Sequence, residues 1–582
     1  MAETVLAPRS DELAVFYAHQ ERIWWAQCSF ELRAVPKGAQ WLWHDPRRLA
    51  CPAGCRPCGA GLRSTWWTAD ATAAQRLAPY FADSAHDGVR AAHLEIVASA
   101  ATGADTSLAV PCPKGLDLLP YQIAGVAYAM GRRRTLIADE MGLGKTVQAI
   151  GVRNLLESGA TCLVICPASL RLNWREEWRR WTVHDDRLHV VDTQRDPPGE
   201  CNVVIANYDR LKGDLLGHLA SRAWALLVVD EAHALKTPTA KRTMAVLGAE
   251  DRRDVATPAL VDRAERVLLL TGTPMLNRPY ELYGLLRALD GSTWPSRFRF
   301  AQRYCAAKQV SIGRGKLAWD YSGASNLDEL GTRMRATVMV RRRKADVLTE
   351  LPPKRRQLIV LPAPDKASQA LRAEREAWAL EKTGVDAGLP ERWDDATYAQ
   401  RVDMMSGTLA AALGAVAKQR QAVALRKVPA VVDHTLIALE EVDRVIVWTH
   451  HHEVTDALAA GLCDAGVERV LVADGRSHPE ERQDLVATFQ ERKTVRTVAV
   501  LGIHAMGVGL TLTRGSYVIF AELDWVPALI TQAEDRCHRI GQSEPVLVQH
   551  LVMDGSVDAV LARMLLRKQA IADQALNMER RA

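Results

Sequence analysis

The sequence predicts an α/β protein with two parallel-sheet lobes separated by a helical insertion. Short apolar runs such as TLIAD, CLVIC and ALLVVD end in polar residues, which is typical of strands buried on both faces of a parallel sheet. Amphipathic segments lie between these runs. The rhythm begins near residue 116, pauses between about 291 and 440, and resumes with VIVWTH, VAVLGI and YVIFAE. Two sheets on either side of an Arg-, Ala- and Glu-rich helical stretch explain this order.

Length and composition indicate a multidomain chain of ordinary globular character. The 582 residues exceed what one compact core organises, and the hydrophobic fraction is 48%. No apolar run is long enough to span a bilayer and MAETVLAPRSDEL is no secretory signal, so we expect a cytoplasmic location. Most of the eleven cysteines stand alone, which favours free thiols over disulfides. The net charge of +5 is too mild to indicate a nucleic-acid partner by itself.

The same pattern gives the expected domain order. The first residues are rich in Trp and Gly and predict a small accessory module of α+β character. The expected divisions are 1–113 for this accessory module, 114–290 for the first lobe, 291–440 for a helical insertion that bridges the lobes, 441–560 for the second lobe, and 561–582 for a C-terminal helix.

A glycine-rich loop predicts a phosphate-binding site in the first lobe. The segment DEMGLGKT (139–146) follows the strand TLIAD and opens a helix. Gly142 and Gly144 allow backbone N–H groups to approach phosphates, which the helix N-terminus also favours. Lys145 would reach the β- and γ-phosphates of ATP, and the Thr146 hydroxyl would bind Mg²⁺. Asp139 replaces the first glycine of the usual pattern, so a plain glycine-rich turn is the alternative.

A carboxylate pair ends a later strand of the same lobe. Asp230 and Glu231 begin the sequence DEAH after ALLVV, at the strand end where α/β sheets bind ligands. Asp230 would hold Mg²⁺, and Glu231 would orient or deprotonate the attacking water. The alternative is an ordinary helix start with acidic residues in its first turn. The phosphate loop upstream favours the catalytic interpretation.

Four motifs in order resemble a known family. They are DEMGLGKT, DEAH, LTGTP (270–274) and QAEDRCHRIGQ (532–542). Together they resemble the Swi/Snf-type helicase-like ATPases of superfamily two, whose fold is two RecA-like lobes. WDYSGASNLDEL (319–330), MVRRRKADVLTELPPK (339–354) and FAELDW (520–525) are most similar to the annealing-helicase (HARP-type) branch, in a bacterial or phage form. Asp139 in the phosphate loop is normal for this family.

The resemblance implies roles at the ATP site. Gln122 would contact the adenine, and Thr271 to Pro274 would couple nucleotide state to lobe movement. Gly507, Gly509 and Thr511, in GVGLT, would lie at the cleft and touch the DNA backbone. Arg536 and Arg539 would reach from the second lobe to the γ-phosphate, where arginines stabilise transition-state charge once the cleft closes. The alternative is that both arginines only pair with nearby acidic residues.

The resemblance also implies a DNA partner, bound through phosphates without sequence preference. Trp525 could stack on a base or pack in the core. The charge run at 341–344 would brace the lobes rather than serve DNA alone. The remaining expected nucleic-acid contacts are Ser169, Asn173, Trp174, Lys236 and Arg514. Protein partners in replication or repair and a monomeric state complete the expectation.

A cysteine cluster in the accessory module suggests a second metal. Cys51, Cys55 and Cys58, with His44 upstream, could supply the four N or S ligands that Zn²⁺ prefers. The spacing is not a strong zinc pattern, so a Gly/Pro-rich turn with free thiols is the alternative. The module itself would choose forked or single-stranded DNA.

The expected function is an ATP-dependent translocase on duplex or forked DNA, with annealing or remodelling activity. A strand-separating helicase is the alternative within the enzyme class. A catalytically silent DNA-binding scaffold is the alternative outside it, although this scaffold predicts damage to an ATP site whose residues are all present.

Overall fold

We describe the protein from a computed structural model. Its described residues are 13–18, 23–28, 42–43, 65–68, 98–101, 108–193, 198–248, 259–275, 278–311, 317–361, 407–492, 495–506, 510–524, 526–553 and 556. Among these residues, none of the helices combines the length and the apolar character needed to cross a membrane.

The N-terminal module contains a four-stranded antiparallel sheet. Its strands are β1 (Leu13–Ala18), β2 (Ile23–Cys28), β3 (Leu42–Trp43) and β4 (Thr65–Thr68), in the order β1-β2-β4-β3. The helical part of the predicted α+β module lies outside the described residues. The C-terminal helix expected over 561–582 lies outside them as well.

Part of the predicted accessory module contacts the first lobe. Ser99 donates its hydroxyl to the Met339 carbonyl at 2.6 Å, and its own carbonyl accepts from the Arg341 N–H at 3.2 Å. Val110 and Cys112 pack against the core of the first lobe. These described residues, although they precede residue 113, therefore pack on the first lobe.

The first lobe is a seven-stranded parallel sheet with helices on both faces. The elements up to residue 289 are α1 (Pro120–Met130), β5 (Arg134–Ile137), α2 (Lys145–Asn154), β6 (Cys162–Cys166), α3 (Arg171–Trp181), β7 (Leu188–Val190), β8 (Val203–Asn207), α4 (Gly213–Ser221), β9 (Trp224–Asp230), α5 (Lys241–Leu247), β10 (Ala264–Leu270) and α6 (Tyr283–Leu289). Together with the later strand β13 (Met339–Val340), the strands of this sheet have the order β13-β5-β10-β9-β6-β8-β7. The central strands β6 and β8 are buried at every position, as their continuous apolar sequences predict.

The stretch predicted as a helical insertion contains strands as well as helices among its described residues. It contains α7 (Arg297–Tyr304), a hairpin of β11 (Lys308–Ser311) and β12 (Leu317–Asp320), α8 (Leu327–Thr337), β13 (Met339–Val340), α9 (Lys344–Val347), β14 (Lys354–Leu361) and α10 (Gly407–Glu441). β13 pairs with β5 and closes the edge of the first sheet, whereas β14 pairs with β19 in the second. The crossing from lobe to lobe is therefore the short segment between β13 and β14.

The second lobe is a six-stranded parallel sheet in the order β14-β19-β18-β15-β17-β16. Beyond α10, its elements are β15 (Arg444–Thr449), α11 (His452–Asp464), β16 (Arg469–Ala473), α12 (Pro479–Phe489), β17 (Thr497–Gly502), α13 (Ile503–Met506), β18 (Tyr517–Phe520), α14 (Pro527–Glu534) and β19 (Val546–Met553). Apolar cores cover both faces of this sheet. The two lobes confirm the predicted fold class of paired parallel sheets with helices.

Candidate active site

The phosphate loop needs glycine at two positions of left-handed backbone. Gly142 has φ of 82° and Gly144 has φ of 73°, just before α2 begins at Lys145. A Cβ at Gly142 would lie 2.6 Å from Cβ of Arg539, and one at Gly144 would lie 2.4 Å from Nε2 of Gln122. Glycine is thus required by both conformation and space. The close approach of Arg539 also places the second lobe directly against this loop.

Lys145 lies inside the loop and faces acidic groups. Its Nζ donates to the carbonyl oxygens of Asp139 at 2.9 Å and Glu140 at 3.2 Å. Burial lowers the pKa of the Lys145 ammonium from its usual value, and the nearby carboxylates of Glu231, Asp139 and Asp230 oppose that shift. The lysine is held at the centre of the site with negative charge around it.

Gln122 lies beside the same loop. Its Nε2 donates to the Leu143 carbonyl at 3.2 Å, while its Oε1 accepts from the Leu119 N–H at 2.9 Å and caps α1. This contact positions Gln122 at the edge of the phosphate loop, which agrees with a nucleotide-facing residue.

Asp230 ends β9 with its carboxylate held by two donors. Its Oδ2 accepts from the Trp174 indole N–H at 2.8 Å, and its Oδ1 accepts from the Glu231 N–H at 2.9 Å. The Tyr208 hydroxyl donates to the Asp230 carbonyl. Burial and the charge of Glu231 raise the pKa of Asp230 to about 6. The carboxylate is thus fixed in place and remains ionised at neutral pH.

Glu231 differs from its neighbour in both backbone and charge. Its φ of 50° is unusual for a residue with a side chain, and its Oε2 lies 3.3 Å from Nδ1 of His233. Burial alone would raise the pKa of the Glu231 carboxyl, but the close contact and charge of His233, followed by the charges of Lys145 and Arg536, lower it overall. The Glu231 Oε2 is buried and accepts no hydrogen bond of good geometry. An ionised oxygen of this kind can accept a proton from water.

A chain of side chains connects Glu231 to the second lobe. His233 Nδ1 lies 3.0 Å from the Thr271 hydroxyl oxygen, which also accepts from the Thr273 N–H at 3.1 Å. The Thr273 hydroxyl accepts from Nε2 of Gln532, in α14, at 3.3 Å. The LTGTP segment therefore lies between the carboxylate pair and the second lobe.

Two arginines from the second lobe reach this site. Arg536 donates to the carbonyls of Gln532 and Leu510, and Arg539 donates to Leu510. Burial lowers the pKa of Arg536, whereas the charges of the first-lobe Glu231 and, more weakly, Asp230 raise it. Arg536 is thus close enough to the carboxylate pair for its charge to interact with theirs. Burial and the neighbouring Arg536 lower the pKa of Arg539 to about 10.

Lys344 connects the two lobes beside the phosphate loop. Its backbone N–H donates to the Glu140 carboxylate at 2.7 Å, and its Nζ donates to the His538 carbonyl. The same Nζ lies 3.0 Å from Oδ1 of Asp535. One buried residue thus contacts the phosphate loop of one lobe and the arginine-bearing segment of the other. The run at 341–344 was predicted to brace the lobes, and this contact agrees with that role.

The donor set fits a Mg²⁺–nucleotide. Thr146 lies in the first turn of α2 next to Lys145, and Asp230 presents a fixed carboxylate at the end of β9, two strands from β5 in the same sheet. Hydroxyl and carboxylate oxygens are the ligands that Mg²⁺ prefers, together with water and phosphate. The buried, unshared oxygen of Glu231 provides the place for an ordered water.

The predicted nucleic-acid residues do not form one surface. Ser169 and Asn173 are exposed at the start of α3, while Lys236 is half-buried with its Nζ 3.5 Å from Glu281 Oε1. The prediction that Trp174 contacts DNA is wrong, because its side chain is 1% exposed and its indole N–H donates to Asp230.

The remaining expected contacts divide between the cleft and the far edge of the second sheet. Thr511 is half-buried, and Leu510 next to it accepts from the two arginines. Arg514 is exposed and lies near Arg444, at the amino ends of β15 and β18. Burial and the charge of Arg514 lower the pKa of Arg444. Arg514 therefore lies at the opposite edge from the cleft. Seven further predicted site residues lie outside the described residues: Gly507, Gly509, Trp525, His44, Cys51, Cys55 and Cys58.

Sequence reasoning missed three positioning residues: Trp174 in this role, His233 and Gln532. Only the tryptophan left a signal in the sequence. Trp174 and Trp178 are four residues apart on α3, a spacing that places both on one buried helix face. The other contacts join residues far apart in the chain, such as Gln532 and Thr273.

Replacing Trp174 with Phe is expected to shift the acidic limb of the ATPase pH profile to higher pH. The Trp174 hydrogen bond lowers the pKa of Asp230, so its loss raises that pKa above about 6 and protonates the carboxylate closer to neutrality. Loss of one hydrogen bond to a charged group predicts that the acidic pKa in the pH profile of kcat/KM rises by about one unit. Trp178→Phe is the matched control, because Trp178 makes the same 2.8 Å bond to Asp186 away from the site. Identical profiles for the two variants would contradict this role.

Replacing Arg342 with Met is expected to destabilise the first lobe by about 3–5 kcal/mol, because it leaves the buried Asp139 carboxylate unpaired. The Arg342–Asp139 pair has a distance of 2.6 Å and side chains that are 1% and 0% exposed. Arg343→Met is the control, since the Arg343–Asp346 pair is 36% and 26% exposed and should matter by less than about 1 kcal/mol. Denaturant unfolding followed by first-lobe tryptophan fluorescence measures both. Equal stability of the two variants would show that the buried Arg342–Asp139 pair does not stabilise the first lobe.

The lobes and the site define a class: a two-lobed P-loop protein whose nucleotide site is completed by the second lobe. The SNF2-related domain model matches residues 121–389, and the helicase conserved C-terminal domain model matches residues 426–541. These matches place the chain among the SWI/SNF-type helicase-like proteins of superfamily two.

Similar curated proteins come from animals. The chain is 34% identical over 469 residues to the DNA annealing helicase and endonuclease ZRANB3 of Bos taurus, covering 79% of this chain and 40% of that protein. It is 34% identical over 466 residues to the SWI/SNF-related matrix-associated actin-dependent regulator of chromatin subfamily A-like protein 1 of Xenopus tropicalis, covering 79% and 45%. The chain thus spans less than half the length of these relatives.

A solved structure of the SWI2/SNF2 ATPase core of Sulfolobus solfataricus in complex with dsDNA is also similar. It is 23% identical, with 79% of this chain and 94% of that chain covered and a TM-score of 0.36. The fold described above is therefore established from the two sheets themselves.

Proposed function

We propose that this chain is a DNA-dependent ATPase that hydrolyses ATP to ADP and phosphate while it translocates on duplex or forked DNA. The observation that carries the proposal is the composite site. Lys145 and Glu231 come from the first lobe, and the buried Arg536 from the second lobe lies close enough to Glu231 for their charges to interact. A site divided between two lobes can couple hydrolysis to their relative motion.

The proposed chemistry uses few residues. Thr146 and Asp230 would hold Mg²⁺, which when bound neutralises charge on the phosphates. Lys145 binds the β- and γ-phosphates. Glu231, ionised and buried, orients the attacking water and accepts its proton. Arg536, with Arg539 beside it, stabilises charge that develops on the transferred phosphoryl group.

Coupling to motion would run through the lobe-to-lobe contacts. The Gln532–Thr273 hydrogen bond and the Lys344 contacts join segments next to the nucleotide in both lobes. Opening of the cleft must break these bonds and withdraw Arg536 from Glu231. Hydrolysis would then alternate between closed and open lobes, which is the basis of a stepping motor.

DNA is the proposed track because of the family and because relatives carry names that include DNA annealing helicase. We propose backbone contacts by Ser169, Asn173, Lys236 and Thr511, which the structure leaves exposed or half-buried. Gly507, Gly509 and Trp525 stay proposals from the resemblance, as does Zn²⁺ held by His44, Cys51, Cys55 and Cys58.

The cellular setting is also a proposal. Buried free cysteines such as Cys162 and Cys537 fit a reducing compartment, and a cytoplasmic monomer of a bacterial or phage branch would be consistent with the Ala- and Arg-rich composition. Annealing, remodelling and partners in replication or repair belong to this proposal as well.

The test is ATP hydrolysis by the purified protein without nucleic acid and with single-stranded DNA, duplex or a forked duplex. We expect strong stimulation by duplex or fork. Stimulation by single strands alone, together with strand displacement on a partial duplex, would instead establish a conventional helicase. Binding of DNA without hydrolysis under any condition would establish the scaffold alternative.

Removing the N-terminal module should change the choice among DNA structures while hydrolysis on plain duplex persists. The deletion should end before residue 98, because residues 98–101 pack on the first lobe through Ser99. The measurement compares the ratio of fork-stimulated to duplex-stimulated hydrolysis in the full chain and in the deletion. An unchanged ratio would remove substrate choice from the module.

A further inference from the structure

Three side chains from separate loops meet at the carboxyl edge of the second sheet. His450 follows β15, His504 follows β17 and Asp524 follows β18, and these three strands are neighbours in the order β18-β15-β17. One ring nitrogen of each histidine and one carboxylate oxygen lie within 4.8 Å of one another. The ATP chemistry described above uses none of the three.

Both imidazoles lie next to the same carboxylate oxygen. Nε2 of His504 lies 2.8 Å from Oδ2 of Asp524, and Nδ1 of His450 lies 3.2 Å from it. The Asp524 side chain is only 3% exposed, while that of His504 is 59% exposed. The cluster is thus anchored in the fold by its carboxylate and reachable from solvent through one imidazole.

Hydrogen bonding does not account for the whole cluster. Nδ1 of His450 is buried and makes no hydrogen bond of good geometry, despite the nearby oxygen. The neighbouring histidines use other carboxylates, since His451 hydrogen-bonds to Glu522 at 2.6 Å and His452 to Asp474 at 2.8 Å. The two imidazoles of His450 and His504 instead converge on one oxygen of Asp524, an arrangement that also suits a shared cation.

Surrounding contacts hold these donors in place. Oδ1 of Asp524 accepts from the Val526 N–H at 2.8 Å, so Oδ2 is left for the histidines. Oε2 of Glu522 accepts from the N–H groups of His450 and His451 at 2.7 and 2.9 Å, which fixes the turn that carries His450. Outer hydrogen bonds of this kind orient ligands in protein metal sites.

We propose that His450 Nδ1, His504 Nε2 and Asp524 Oδ2 bind a divalent transition-metal ion of the Zn²⁺ or Co²⁺ type. Metal–ligand bonds of about 2.0–2.2 Å place donor atoms roughly 3–3.5 Å apart, close to the two distances measured here. Two imidazoles and one carboxylate suit such borderline ions better than Mg²⁺, which prefers oxygen. With three protein ligands the ion keeps an open position for water. Among the described residues, no other group of His, Cys, Asp and Glu has this geometry.

Metal binding would tie together three strand ends at the edge of the sheet that leads into α14. α14 begins at Pro527, shortly after Asp524, and carries Gln532 at its lobe contact. The bound ion would therefore stiffen the base of the segment that delivers Arg536. This consequence concerns stability of the second lobe and needs no ATP turnover to be measured.

The test is titration of the full-length, metal-stripped protein with Co²⁺, followed by visible absorption. We expect one equivalent with a spectrum of nitrogen and oxygen ligation. Ions at the N-terminal cysteines would be recognised separately by an intense thiolate charge-transfer band. His504→Ala and Asp524→Asn should each weaken the nitrogen–oxygen site at least ~10-fold. His452→Ala is the matched control and should bind as the wild type does, because its imidazole pairs with Asp474 outside the cluster.

Folding is checked by circular dichroism and thermal unfolding of each variant. Loss of the site in His504→Ala with a native spectrum supports the proposal, since that exposed side chain is dispensable for packing. Addition of Zn²⁺ should raise the Tm of the wild type and of His452→Ala but not of His504→Ala. No nitrogen–oxygen Co²⁺ signal in the wild type, or an undiminished one in both cluster variants, would overturn the proposal.

Discussion

Lys145→Ala is expected to abolish ATP hydrolysis while DNA binding survives. Lys145 lies at the centre of the phosphate loop, where its ammonium faces the carboxylates of Glu231, Asp139 and Asp230. Its removal takes away the charge that binds the β- and γ-phosphates and stabilises them during transfer. We expect a fall of at least ~10³-fold in kcat, since preorganised charge at a transferring phosphoryl group is the main source of catalysis.

The measurement for Lys145→Ala is DNA-stimulated phosphate release beside a DNA-binding titration. DNA affinity should change little, because the exposed candidate contacts lie outside the phosphate loop: Asn173 is on α3, and Ser169 is in the turn just before it. Arg514→Ala is a suitable charge-removal control, as this arginine lies at the far edge of the second sheet. Hydrolysis within tenfold of the wild type would mean that the loop is not the catalytic phosphate site.

Arg536→Ala is expected to lower kcat by roughly 10³-fold while nucleotide still binds. Arg536 comes from the second lobe, is buried and interacts electrostatically with Glu231 and Asp230 of the first lobe. A charge delivered across the cleft acts mainly on the transition state, so kcat should fall far more than the affinity for ATP changes. The loss should be largest with duplex DNA present, when the cleft is expected to close.

Arg539→Ala separates the two arginines. Arg539 packs against the phosphate loop at Gly142, and burial and the neighbouring Arg536 lower its pKa. We therefore expect Arg539 to bind the phosphates together with Arg536 but to influence the attacking water less directly. A near-normal rate for Arg536→Ala together with a large loss for Arg539→Ala would assign the finger role to Arg539. Normal rates for both variants would remove the composite site.

Local sequence predicted those parts of the fold that local chemistry controls. Strands such as CLVIC and VVIAN are continuously apolar because both faces of the sheet are covered, and the structure buries every one of their residues. The phosphate loop and the DEAH carboxylates were predictable because glycine conformation and strand-end position belong to a few consecutive residues.

The bridging stretch could not be predicted in the same way. β13 has only two residues, and β14 reads KRRQLIVL with most of its positions exposed, so neither has the apolar pattern of a buried strand. Both are held by pairing with partners far along the chain, β5 and β19. Pairing of this range, and not local propensity, decides their structure.

Site residues that act through other residues were hidden for the same reason. Trp174 was expected to face DNA, yet α3 turns it inward toward Asp230. Lys344 was expected to brace the lobes as part of the run at 341–344, but the partners that it would contact were not predictable. Its contacts with Asp535 and His538 depend on how the second lobe lies against the first, which sequence spacing does not contain.

The most direct test of the central claim is displacement of a triplex-forming oligonucleotide from duplex DNA. A motor that moves along the duplex removes the third strand without separating the other two. We predict ATP-dependent displacement by the wild-type protein and none by Lys145→Ala or Arg536→Ala. Duplex-stimulated ATP hydrolysis that leaves the third strand in place would contradict translocation, and the composite site would then serve a DNA-dependent ATPase that does not move.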